Sequence, residues 1–192
     1  DTLCLRAGKT GEYGFDLLVP RERAAELRAR LEAAGSAFDL IRAGDDAVEH
    51  AMLENGFFNV RREGRAGLTP LELGLQWRVT YGKEATGSAA LLAARARGAE
   101  RRVTTFVADA AVGEGAAVRL GDDRIGEVLA AGASPAIGRH VGLALLDRPY
   151  FHAGLDAFTV DAPGGRIAIR TVSPPVVNNR SLYVNPQRHA YA

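Results

Sequence analysis

The sequence predicts an α+β fold, with an α/β unit first and a closed antiparallel β-barrel last. Three observations carry this. Residues 1–56 alternate short apolar strand-like runs with patterns at helical spacing. Residues 82–98 are alanine-rich and carry a helical pattern. From Arg101 onward the spacing changes to short apolar runs separated by Gly, Asp and Pro turns. The expected organisation is therefore a first segment over 1–82, a connecting helix over 83–100, and a barrel with an extended tail over 101–192.

Taken in order, Leu3, Leu5 and residues 15–19 read as two strands flanking a glycine-rich loop. Pro20 fits a helix start, where its missing N–H costs nothing. Ala24, Leu27, Leu31 and Ala34 recur at helical spacing, with Gly35 as the stop. Residues 38–41 read as a short strand. Asp46 and Glu49 form a capping-box signature opening a helix that carries Ala47, Val48, Ala51 and Met52 and ends at Gly56. Residues 64–77 read as a loop passing into a turn or short helix, capped by Thr69-Pro70, with Trp77 packing between the domains. Six strands follow at 103–108, 116–120, 125–131, 140–146, 157–160 and 166–172, with turn signals at 121–123 and 163–165. That many short strands at this spacing predict a closed antiparallel barrel. The tail from Pro174 is expected to run extended and wrap back, with Tyr183 and Tyr191 as anchors.

Composition narrows the function classes. With 47% hydrophobic and 24% charged residues, the chain has the make-up of an ordinary globular protein. A net charge of +1 argues against a nucleic-acid or membrane partner recruited by bulk electrostatics. The basic stretch 21–30 is interleaved with Glu22 and Glu26, the pattern of a solvated helix face. A single cysteine, Cys4, excludes an internal disulfide framework and points to the cytoplasm. No apolar run approaches the ~20 residues of a membrane span. His140, His152 and His189 lack ligand spacing, so no metal site is expected.

The segment Ala7-Gly8-Lys9-Thr10-Gly11-Glu12-Tyr13-Gly14-Phe15-Asp16 feeds a carboxylate onto a strand out of a loop with three glycines. Glycine admits positive φ and close approach of another group to the backbone. No helix opens behind the loop, so it is not a dinucleotide fingerprint. The segment resembles the Gly-Tyr-Thr-Gly-Glu-x-Gly-x-Glu signature of the aminomethyltransferase family, the T-protein of the glycine cleavage system and its relatives. Further matches follow in family order. They are Leu53-Glu54-Asn55-Gly56, the Thr69-Pro70-Leu71-Glu72-Leu73-Gly74-Leu75-Gln76-Trp77 run, Lys83 with Gly87 and Ala90-Leu91, Arg101, and the Gly126 to Gly138 segment containing Ser134-Pro135.

The resemblance implies a ferredoxin-like folate-binding unit ahead of the barrel. It also implies a tetrahydrofolate-dependent transferase of an aminomethyl or methyl carbon, working with a small one-carbon donor and a carrier protein. On this reading Asp16 stands where the family has a glutamate that hydrogen-bonds the pterin ring. Gly11 belongs to the loop beneath the ligand, Lys9 replaces a family tyrosine, and Arg101 matches an arginine that faces the folate tail. The family's catalytic aspartate falls upstream of residue 1, so the chain is expected to be the later portion of a longer product and inactive alone. Val48 and Met52 occupy two family arginine positions, and an apolar side chain offers a carboxylate no charge-assisted bond. Two alternatives stay open. One is a non-catalytic folate-binding or interaction protein on the same scaffold, and the other is the last part of a flavin-containing amine oxidase.

Overall fold

The computed structural model describes residues 2–59, 63–65, 67–178, 181 and 184–185. The chain divides into two compact units, one of residues 1–51 with 179–192 and one of residues 52–178. Tyr183, His189 and Tyr191 lie outside the described residues.

The first unit begins with the predicted hairpin. Strands β1 (Leu3–Leu5) and β2 (Asp16–Leu18) pair antiparallel, Leu3 opposite Leu18 and Leu5 opposite Asp16. Leu3, Leu5, Leu17 and Leu18 are exposed. Pro20 precedes a 3-10 turn (Arg21–Arg23) that leads into α1 (Ala24–Gly35). The basic stretch here is laced to acids along the helix, Glu26 reaching Arg23 at 3.4 Å and Arg30 at 3.9 Å.

The strand expected at 38–41 does not form. Residues Ser36–Phe38 continue α1 as a 3-10 turn, Asp39 adopts a left-handed conformation (φ 53°), and the Leu40 N–H returns to the Gly35 carbonyl at 3.2 Å. The apolar run is used to close a helix end, so Gly35 is the last residue of α1 and the chain reverses four residues later. Helix α2 (Asp45–Glu54) starts one residue before the expected cap, with Gly44's carbonyl accepting from Ala47 and Val48. Asp45 and Asp46 thus lie in its first turn, where they favour the positive end of the helix dipole.

In the second unit, the end of α2 is closed as the sequence predicts. Phe57 N–H bonds the Met52 carbonyl at 2.8 Å and Gly56 N–H the Leu53 carbonyl at 3.1 Å, with Gly56 at φ +70°. This is the Schellman arrangement, which needs a left-handed residue. A 3-10 turn (Gln76–Arg78) follows the Thr-Pro segment, and α3 (Ser88–Arg97) occupies the alanine-rich stretch. Arg148 satisfies the carbonyls left at the end of α3, reaching Ala99 at 2.7 Å and Arg97 at 3.4 Å. Trp77 is not packed. Its side chain is 68% exposed, with the Arg78 guanidinium 4.3 Å from its ring centre. A cation over the ring face offsets part of the cost of leaving it in water.

The barrel comprises β3 (Arg101–Ala108), β4 (Ala117–Leu120), β5 (Asp123–Ser134), β6 (Arg139–Asp147), β7 (Phe158–Ala162) and β8 (Gly165–Val172). They close antiparallel in the order β3-β6-β5-β4-β7-β8, with β8 returning to β3. All six predicted strands are present and the predicted closure holds. Phe106, Val118, Val128, Leu146, Val160 and Ile169 form the largest core cluster. Phe106 lies opposite Gly142 in the β3–β6 register, and a Cβ on Gly142 would come 2.6 Å from the Phe106 ring edge and 2.8 Å from the Ala130 carbonyl. Glycine is required there so that the ring can cross the strand. A second cluster gathers Leu53, Ala130, Val141 and Leu143, seating the end of α2 on the barrel.

Candidate functional site

In the first unit, the glycine loop joins β1 to β2. Of its three glycines, only Gly11 takes a positive φ (+75°). Gly8 has open space around it, and Gly14 meets nothing closer than 4.0 Å. The loop is held by polar contacts instead. Glu12 N–H bonds Thr10 Oγ1 at 3.1 Å, and Tyr13 N–H bonds Ser181 Oγ at 2.8 Å, while the Ser181 hydroxyl donates to the Glu12 carboxylate. Ser181 is thus bonded to this loop at two points. Tyr13 stacks edge-on against Phe15 at 5.5 Å and lies under the Arg6 guanidinium at 4.2 Å. Asp16 opens β2 opposite Leu5, exposed and with no side-chain partner among the described residues. Lys9 is likewise exposed at the loop's apex. The structure thus brings Lys9, Gly11 and Asp16 onto one hairpin.

Arg101 belongs to the second unit, and its environment is built around Glu72. Thr69 caps the short turn that Pro70 starts, its N–H and hydroxyl both donating to Glu72 Oε2 at 2.8 and 2.9 Å. Glu72 N–H returns to Thr69 Oγ1 at 3.3 Å, completing a reciprocal capping box. The other carboxylate oxygen, Oε1, accepts from Arg101 Nε at 2.8 Å. The Glu72 backbone carbonyl accepts Val103 N–H at 2.7 Å. Burial of Glu72 favours its neutral form, but the Thr69 N–H, the Arg101 hydrogen bond, the Thr69 hydroxyl and the Arg101 charge outweigh it, holding the carboxyl below its ordinary range.

Beside this node runs an open groove of about 210 Å³ lined by Arg101, Arg124, Gly126, Glu127, Leu145 and Asp147. Arg124 is tied to Glu127 at 2.9 Å. Asp147 stands directly opposite Arg101 in the β3–β6 register yet does not take its guanidinium.

Other motif residues also meet in pairs. Ser134, buried at the end of β5, donates to Glu54 Oε1 at 2.5 Å. The Glu54 carbonyl accepts Val176 N–H at 2.9 Å. Met52 is buried at 8% exposure beside Leu53, so it contributes packing where the resemblance has an arginine. His50 lies half-buried on α2. Among the described residues no cluster of His, Cys, Asp or Glu is arranged to hold a metal.

The comparisons with known proteins agree with this architecture. The family model described as the GCVT N-terminal domain matches residues 1–83, and that of the glycine cleavage T-protein C-terminal barrel domain matches residues 101–178. The chain belongs to the glycine cleavage T-protein (aminomethyltransferase) family. It is 34% identical to an aminomethyltransferase of Streptomyces coelicolor over 180 residues, covering 90% of this chain and 48% of that protein. It is 34% identical to one of Mycobacterium bovis over 178 residues, with the same shares. The chain therefore spans about half the length of the curated relatives it matches. A crystal structure of glycine cleavage system aminomethyltransferase T from Bartonella henselae shares the fold, with a TM-score of 0.83 at 24% identity, covering 94% of this chain and 51% of that one.

Sequence reasoning missed the Glu72–Arg101 and Glu54–Ser134 contacts. The Thr-x-x-Glu spacing signals the cap on Thr69. Neither long-range partner has a local signal, because residues 29 and 80 positions apart leave no periodic trace of each other.

Proposed function

We propose that this chain is part of a tetrahydrofolate-dependent one-carbon transferase that moves an aminomethyl or methyl group. The observation carrying the reading is Asp16, an exposed carboxylate without a partner at the exit of a glycine loop in a T-protein-family chain. The pterin edge of tetrahydrofolate presents adjacent N–H donors, and a carboxylate is the group that accepts both. Gly11 takes a positive φ in the turn of the loop, and Lys9 offers a cation to an anionic part of the ligand. Arg101 is the candidate for a ligand carboxylate in the second unit. Bound folate supplies the nitrogen that takes up the carbon unit, while the chain's residues orient and desolvate it. The catalytic group, a small one-carbon donor and a carrier protein are expected from beyond these residues, in a cytoplasmic setting.

A second reading, a folate-binding or interaction protein without chemistry, is favoured by Val48 and by the burial of Met52, which leave two family arginine positions apolar. Calorimetric titration of tetrahydrofolate into the intact gene product and its Asp16→Ala variant tests the first. Binding that the variant weakens tenfold or more, about 1.4 kcal/mol, supports it. A wild type that binds nothing sinks it. Binding without turnover by any donor supports the second reading.

A further inference from the structure

We propose that Glu72 is a positioning residue, which fixes Arg101 so that the unused end of its guanidinium serves the adjoining groove as a receptor for a ligand carboxylate. Glu72 grips β3 twice, at the Arg101 side chain through Oε1 and at the Val103 N–H through its backbone carbonyl. Its remaining oxygen is consumed by Thr69, so the carboxylate has no rotational freedom to release Arg101. Arg101 is engaged only through Nε. Its terminal amines have no partner among the described residues, and its side chain is 43% exposed against 17% for Glu72.

An arginine held at its neck with its fork open is prepared for two parallel bonds to a carboxylate, since little side-chain entropy remains to be lost on binding. The cross-strand acid that might have closed the fork, Asp147, leaves it open. Arg124 is already neutralised by Glu127. The groove therefore offers the unbonded terminal amines of one guanidinium, whose charge is already paired once with Glu72 and which Glu127 and Asp147 border, an arrangement that suits a single carboxylate better than a phosphate dianion. This deepens the tetrahydrofolate reading by assigning a carboxylate contact and its support, but the Glu72–Arg101 grip stands without it.

The test uses the intact protein, with N-(4-aminobenzoyl)-L-glutamate as the carboxylate probe and its dimethyl ester as the control. Wild type, Arg101→Gln, Glu72→Gln, the double variant and Thr69→Val are titrated by calorimetry. The Arg101 Nε–Hε resonance is followed by nitrogen-15 NMR. The expected result is binding of the acid and not the ester, weakened about tenfold by either Arg101→Gln or Glu72→Gln and no further by both. Thr69→Val, which gives up the hydroxyl bond but keeps the backbone N–H bond to Glu72 Oε2 and the Glu72 charge, should stay within about twofold of wild type, and Glu72→Gln should lose the shifted, slowly exchanging Nε–Hε signal. Equal weakening by Thr69→Val and Glu72→Gln, or an unchanged Arg101 resonance in Glu72→Gln, overturns the positioning role. Acid and ester binding alike, or no loss in Arg101→Gln, overturns the carboxylate receptor. A wild type that binds tetrahydrofolate through Asp16 but ignores the probe overturns this inference alone. One that binds the probe but not tetrahydrofolate overturns the folate reading alone.

Discussion

Replacing Glu72 changes stability in a pH-dependent way that follows from its contacts. Glu72→Ala removes the cap on Thr69, worth about 1 kcal/mol. It also removes the charge-assisted bond to Arg101, held to about 1 kcal/mol by that side chain's 43% exposure. The expected loss at neutral pH is therefore about 2 kcal/mol. Glu72→Gln keeps an amide oxygen for Thr69 and gives up the charge, so it should lose about half as much. The Glu72 carboxyl is held below its ordinary range in the folded protein. A depressed carboxyl contributes stability that is complete above the unfolded value, about pH 4.3, and fades as pH falls through the folded value. The wild-type advantage over Glu72→Gln should thus be constant from neutrality to about pH 5 and shrink below about pH 4. Urea unfolding of both proteins across this range gives the difference, in which the other carboxylates cancel. Hydrogen exchange at Val103, whose N–H bonds Glu72, reports the same node locally. A gap that persists undiminished to pH 3, or none at pH 7, refutes the account.

Two further perturbations probe the barrel. Gly142→Ala places a methyl group against Phe106 and the Ala130 carbonyl, so it should cost about 1–3 kcal/mol by overpacking, partly recovered in combination with Phe106→Leu; thermal unfolding of the three variants measures the coupling, and a neutral Gly142→Ala would contradict the close crossing. Thr171, fully buried, accepts Leu155 N–H at 2.9 Å and donates to the His152 carbonyl at 2.6 Å. Thr171→Val keeps the shape but orphans both, and should lose about 2 kcal/mol in urea unfolding.

How far the sequence carried depended on which interactions local order encodes. The six barrel strands were legible because each is a short apolar run followed by a turn that Gly, Asp or Pro marks. The Gly56 helix stop was legible for the same reason, its two return bonds spanning three and five residues. Residues 38–41 misled because a short apolar run fits a strand and a closing turn equally, and Asp39's left-handed conformation decides between them. Trp77, expected to pack between domains, stands 68% exposed with Arg78 over its face, because a neighbouring cation covers part of its ring where it stands.

The motif residues that make the family recognisable split into two kinds once their partners are seen. Leu53 and Glu54 meet the barrel at Ala130 and Ser134, and Glu72, held by Thr69, meets it at Arg101 and Val103. These side chains spend their polar atoms on one another, which makes them clips between a turn or helix end and a strand. A polar atom so engaged can serve a ligand only through what it leaves open, and of Glu54, Thr69, Glu72, Ser134 and Arg101 only Arg101 leaves a charged end unused among the described residues. Asp16 and Lys9, by contrast, are unengaged on an exposed hairpin. A motif position therefore points to chemistry when its polar atoms remain unpaired in the folded chain, and by that measure Asp16 and Arg101 stand ahead of Glu54, Thr69, Glu72 and Ser134.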